Sequence, residues 1–144
     1  MPNPTTNFGW VMPTTTDLVT DLPADFAVFG NAVDSSVAAY TIKLAFNAQT
    51  GTTYTLVAGD LGKLVTTSNA SAITVTIPPS IFAAGNIINV QSIGVGLTSF
   101  AAGAGVTITS TGATSAAPAL RARYSACTII CTASNTFTVV GDIS

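Results

Sequence analysis

The clearest periodicity in the chain is Ile73-Thr74-Val75-Thr76-Ile77, where apolar and polar residues alternate without a break. Side chains on a strand point to opposite faces with period two, so Ile73, Val75 and Ile77 share one face and Thr74 and Thr76 the other. Pro78-Pro79 ends the strand, because proline has no amide hydrogen to give to a ladder. The surrounding stretch, Tyr54 to Pro79, reads as three short strands broken by turn residues, and similar words recur downstream as VTIT, CTIIC and TFTVV. The pattern predicts strands over 54–57, 63–67, 72–77, 87–93, 98–101, 106–109, 120–125, 126–132 and 136–140, with Gly, Asn and Ser in the turns between them. Many short strands without a βαβ rhythm predict an antiparallel β-sandwich or barrel over residues 54–144.

A different period governs residues 21–40. Asp21 is placed to cap the first amides of a helix, Pro23 suits the first turn, and Asp25 lies near the positive end of the dipole. Phe26, Phe29, Val33, Val37 and Tyr40 then recur at spacings of three and four, a single narrow apolar stripe. A helix this short is marginal alone in water, and Gly30 and Ser35-Ser36 weaken it further, so the stripe must be buried. A small parallel bundle on an oligomer axis and the chain's own sheet both fit the pattern as its partner. Residues 41–53 form a connector, in which alternating Ile42, Leu44 and Phe46 allow a first strand.

Residues 1–20 show neither period. Pro2, Pro4 and Pro13 and the threonine clusters give the segment no core of its own. Yet Phe8, Trp10, Val11 and Met12 are too apolar for a free linker. They predict an extended arm that anchors on a partner, with a tail folded back on its own domain as the alternative.

Composition sharpens this picture. Apolar residues make up 48% of the 144 residues and charged residues 7%, against a usual charged share of about 25%. Mean hydropathy is +0.57, yet no apolar run reaches the roughly 18 residues that a membrane span needs, and no basic leader with an apolar core begins the chain. The exposed surface must therefore be built from Thr, Ser, Ala and Gly, which protects a monomer poorly against self-association and suits a subunit covered by neighbours. With a net charge of −2 there is no electrostatic footprint for nucleic acid. Arg121 and Arg123, two apart on an expected strand, point to one side, where they are solvated edge charges or a grip for a partner's carboxylate. Cys127 and Cys131 would lie on one face of a strand about 13 Å apart, too far for a bridge, and are expected as buried thiols.

No catalytic chemistry emerges. The chain has no histidine, which removes the Ser-His-Asp and Cys-His arrangements and the His-based zinc sites. It has no glutamate, and its six aspartates are dispersed. Asp17, Asp21 and Asp25 are four apart, but the first lies in the arm and the others at a helix start, so capping explains them better than a metal does. Gly94-Val95-Gly96 and Gly62-Lys63 lack the remaining residues of a dinucleotide or phosphate loop. Asn69-Ala70-Ser71 fits a glycosylation acceptor without any sign of secretion. The residues predict no enzyme, no cofactor and no metal.

Two stretches resemble known proteins. The opening NFGWVMPTTTDLVTDLPADFAVFGNAVDSSV resembles a leader of structural proteins of tailed bacteriophages, fibre-like and minor tail proteins in particular. The remainder, YTLVAGDLGKLVTTSNASAITVTIPPS through FAAGAGVTI to NTFTVVGDIS, is similar to a β-rich module of phage virion proteins. The resemblance implies a virion component, usually trimeric, assembled in the bacterial cytoplasm, with no catalytic residues to carry over. Shortness, absence of shaft repeats and absence of a separate tip domain depart from the long fibres. They favour a homotrimeric capsid decoration, or cement, protein bound to the major capsid protein or other virion proteins. In that arrangement Phe8, Trp10, Val11 and Met12 anchor the arm, and Phe26, Phe29, Val33, Val37 and Tyr40 join the protomers. The alternative is a short tail fibre or tail-tip protein whose β-domain binds a host receptor. Neither nucleic acid nor membrane is an expected partner.

Overall fold

The computed structural model describes residues 20, 22–39, 44–110 and 117–144. The chain divides into two units, Met1–Lys43 and Leu44–Ser144. In the first, helix α1 runs from Leu22 to Ala39. Pro23 falls in its first turn, where a missing amide hydrogen costs no helical bond. Phe26 and Val37 of the expected stripe are exposed, while Phe29 and Val33 are half-buried. Phe8, Trp10, Val11, Met12 and Tyr40 lie outside the described residues.

The second unit is nearly all strand: β1 (Ala45–Gln49), β2 (Thr53–Thr55), β3 (Lys63–Thr67), β4 (Ile73–Ile77), β5 (Ile87–Ser92), β6 (Thr98–Ala102), β7 (Thr107–Ser110), β8 (Ala126–Ala133) and β9 (Thr136–Gly141). They form a six-stranded sheet in the order β1-β3-β5-β8-β9-β7 and a three-stranded sheet in the order β2-β4-β6. From β1 to β6, successive turns of chain each lay one strand in each sheet, and like strands pair in parallel: β1 with β3 and β3 with β5, β2 with β4 and β4 with β6. The result is a solenoid-like stack of rungs. The β8–β9 hairpin joins it antiparallel to β5, with β7 parallel to β9 at the far edge.

The mainly β architecture with one helix agrees with the sequence pattern, but the antiparallel sandwich or barrel expected for it does not describe this pairing. Period two reveals which face a residue takes and says nothing of the direction of the neighbouring strand. From β1 to β6 each strand is followed by one in the opposite sheet, so its neighbour is the strand two places on.

Alternation builds the core between the sheets. Val65, Ile88, Val90, Ile129 and Val139 face inward from the larger sheet, and Ile73, Val75, Ile77 and Phe100 from the smaller. Phe82 meets Phe137 edge to face, ring centroids 6.1 Å apart. Cys127 and Cys131 are free, buried thiols on the inner face of β8.

The rungs also stack at their corners. Asn69 donates through Nδ2 to the Thr50 carbonyl at 2.6 Å and accepts the Ser71 amide at 2.8 Å, tying the corner after β3 to the one after β1. The corner after β5 rests on the same residues. A side chain at Gly96 would begin within bonding range of the Ser71 carbonyl, and one at Gly94 would strike the Asn69 backbone. Glycine is required at both for close approach of backbone to backbone.

Residues 120–125, expected as a strand, form a turn instead, with only Ala119 and Leu120 making bridges, to Ser99 and Ile143. Ala122 donates its amide to Ser125 Oγ at 3.1 Å, and Tyr124 adopts a left-handed φ of 70°, which breaks the extended run.

Candidate functional site

Parallel sheets are ordinarily covered on both faces, because crossover connections lay elements over them. The outer face of the six-stranded sheet departs from that rule. Register places Phe46, Leu64, Asn89, Thr128 and Val140 in one row across β1, β3, β5, β8 and β9. Phe46 is 69% exposed, Ile87 in a neighbouring row 49%, and Leu44 at the edge 47%. Within the row, Thr128 Oγ1 donates to Asn89 Oδ1 at 2.9 Å, which satisfies its polar members locally. A shallow open depression of about 300 Å³ lies here, lined by Leu44, Leu64, Asn89, Thr128 and Val140 with the backbone around Cys127 and Gly141. None of its lining residues is charged.

Both strands of the first rung, β1 and β2, pair on one side only. Neither carries the lysine or proline with which exposed edges are commonly protected. The end of the core beneath them is closed by a polar cluster. Asp60, fully buried, accepts from Asn47 Nδ2 at 2.6 Å, from the Tyr54 hydroxyl at 2.9 Å and from the Val57 amide at 2.8 Å. Gln49 Nε2 donates to Asn47 Oδ1 at 2.6 Å. Burial, then the hydrogen bond to Asp60 and its charge, push the Tyr54 phenol above its ordinary range. The cluster holds a single carboxylate, whose hydrogen bonds come from Asn47, Tyr54 and the Val57 amide. Its chemistry is that of a cap: it ends the apolar interior with satisfied polar groups where a further rung would otherwise have to stack.

A third feature is the turn after residue 120. Arg121 Nε meets Asp142 Oδ1 at 3.0 Å, and Ser125 Oγ donates to Asp142 Oδ2 at 2.6 Å. Arg123 lies over the Tyr124 ring, its guanidinium carbon 4.7 Å from the centroid. The two arginines therefore act separately, one paired and one stacked, and do not form the common grip their spacing suggested.

Among the described residues no group of three or more His, Cys, Asp or Glu could hold a metal ion, and no helix is long and apolar enough to cross a membrane. Sequence reasoning found α1 but missed both the outer sheet face and the Asp60 cluster. The exposed Leu44 and Phe46 were legible only as alternation. Asp60 carried no signal beyond the turn marker Gly59-Asp60. Comparison of the chain with protein-family models, with curated proteins and with solved structures finds no match.

Proposed function

We propose that this chain is a structural subunit of a tailed-bacteriophage virion, a homotrimer joined through α1 that attaches to its neighbours by apolar contact. The observation that carries this reading is the uncharged outer face of the six-stranded sheet, where Phe46, Ile87 and Val140 stand exposed among threonine and amide side chains and which a permanent assembly would cover. The exposed Phe26 and Val37 on α1 add a second such surface. The low charge content and the phage-like leader point the same way.

Two placements on the particle follow. As a capsid decoration protein, the chain grips the major capsid protein through Phe8, Trp10, Val11 and Met12 and stabilises the shell. As a short tail fibre or tail-tip protein, it presents the β unit to a host. The stacked rungs favour the second placement, because they supply within the β unit the repeated architecture whose absence had argued against a fibre.

Quantitative mass spectrometry of purified virions separates the two. Hundreds of copies, in a simple ratio to the major capsid protein, mean shell decoration; a handful mean the tail or a unique vertex. Absence of the chain from purified particles would overturn the proposal. In either placement Trp10→Ala lowers occupancy on the particle while the β unit stays folded, and unchanged occupancy counts against the arm as the anchor. Attachment by apolar area is also expected to survive high salt, so release by salt alone would contradict it.

A further inference from the structure

Tyr124 is a bulky residue held at a φ of 70°, a conformation that glycine adopts freely and side chains adopt rarely. Its ring is not buried in return: the residue is 61% exposed. Backbone bonds hold the strained position, with the Tyr124 amide donating to the Ser92 carbonyl at 2.7 Å and the Ser125 carbonyl accepting from the Ser92 amide at 3.0 Å. The ring is thus carried outward on a braced turn where glycine would fit with less strain. Residues held in sparsely populated backbone regions cluster at ligand clamps and switch regions, and here the strain is retained at an exposed side chain.

Arg123 completes the arrangement. Its Nε donates to the Ile93 carbonyl at 2.9 Å, and its guanidinium lies on the Tyr124 ring. Among the described residues its two terminal nitrogens have no partner, and neither has the Tyr124 hydroxyl. The nearby carboxylate that could neutralise Arg123, Asp142, is already engaged by Arg121 and Ser125. The turn therefore presents a fixed, uncompensated cation with a free planar fork, beside an aromatic edge and an unpartnered phenol. A guanidinium fork matches a carboxylate, and stacking on an aromatic ring fixes its orientation before the ligand arrives.

We infer that the Arg123–Tyr124 turn is a recognition site for a carboxylate-bearing saccharide. A pyranuronate carries a carboxylate and hydroxyls fixed on one rigid ring, which matches the cation and the phenol together. An acidic peptide side chain would use the cation alone and lose its own rotamer freedom. The inference deepens the tail-tip placement, in which the β unit meets a host surface, and takes its biological setting from that reading.

The test is a calorimetric titration of the full chain with a galacturonate trisaccharide, with its carboxyl-reduced neutral counterpart and with an acidic tripeptide. Saturable binding of the acidic saccharide is expected, at least about tenfold tighter than the neutral one, in line with loss of a charge-assisted fork. Arg123→Ala should weaken it by about tenfold or more, and Arg123→Lys, which keeps the charge and loses the fork, should also weaken it. Tyr124→Gly is the decisive variant, because it relieves the backbone while removing the ring: binding falls and the melting temperature holds or rises. Equal affinity for the neutral saccharide, tighter binding of the tripeptide, no saturation at about 10 mM, or a Tyr124→Gly chain that melts lower yet binds normally would each overturn the inference. Copy number on the virion is read independently. Selective saccharide binding by a chain present in hundreds of copies keeps the recognition site and removes only the tail placement.

Discussion

The two faces of the six-stranded sheet both carry large apolar side chains, set among threonines and amides on the outer face, and they meet opposite environments. Val65, Ile88, Val90, Ile129 and Val139 on the inner face are fully buried against the smaller sheet, whereas Phe46, Ile87 and Val140 on the outer face stand exposed. The inner face accounts for folding: each of its side chains contributes burial that offsets the entropy of ordering the chain. The outer face contributes little to that balance, yet beside Thr66, Asn89, Thr128 and Thr138 it keeps Phe46, Ile87 and Val140 exposed. The fold thus accounts for the inner face, and the exposed outer residues are what the proposed assembly would have to cover.

Breaking the inner face should have the largest effect. Phe100 is fully buried and pairs through β6 with Val75 of β4. Phe100→Ala is expected to destabilise the β unit by about 3–5 kcal/mol in urea titration, through lost transfer energy and the cavity left behind. A loss below about 1 kcal/mol would mean that the core is loosely packed and that the contrast between faces is overstated. Next comes the corner on which the stacking depends. Gly96→Ala places a methyl group against the Ser71 carbonyl, so the rungs must separate there, and a loss of about 1–3 kcal/mol is expected. Because the φ of Gly96 is not left-handed, a full-sized loss would assign the role of this glycine to close approach and not to backbone freedom.

A third effect depends on pH. Burial pushes the Cys127 thiol from 9.0 up to about 12, and Tyr54 is shifted upward as well. Both groups hold their protons longer in the folded chain than in the unfolded one, so the folded state binds more protons above pH 9. Stability is then full below about pH 9 and falls as pH rises toward 12, with a slope from Cys127 alone approaching about 1.4 kcal/mol per pH unit. Urea titrations of the parent chain and of Cys127→Ala across that range check the sign and the source: the variant should show a shallower fall. An identical slope in both would assign the alkaline loss to other groups.

What could be read from the sequence follows from how local each signal is. Strand β3 occupies the expected 63–67, and β4 starts within one residue of its expected position, because alternation is written in consecutive side chains. Parallel pairing was not legible, since it depends on where the connections return the chain. The turn at 120–125 shows the same limit in reverse: Leu120-Arg121-Ala122-Arg123-Tyr124 alternates as a strand would, but the Ser125 side chain and the left-handed Tyr124 stop it. At the candidate sites, Asn47, Tyr54 and Asp60 come from separate elements that only the first rung brings together, and no spacing announces them. The outer row from Phe46 to Val140 spans strands nearly a hundred residues apart in sequence, so only the register reveals it.

The smallest effect on folding is the one that most directly separates the two faces. Phe46 is 69% exposed, so Phe46→Ala removes little buried area, and the change in unfolding free energy should stay within about 0.5 kcal/mol. If the outer face is covered in the assembly, the same substitution removes a large aromatic contact from an interface, where truncating such an anchor weakens association by 2 kcal/mol or more, roughly thirtyfold. Sedimentation equilibrium of the parent and variant chains measures that difference, and urea titration of the same samples controls for folding. Weakened association with unchanged stability would show that the outer face serves assembly. Unchanged association would show that its apolar residues are merely tolerated by solvent, and would leave α1 as the surface through which copies meet.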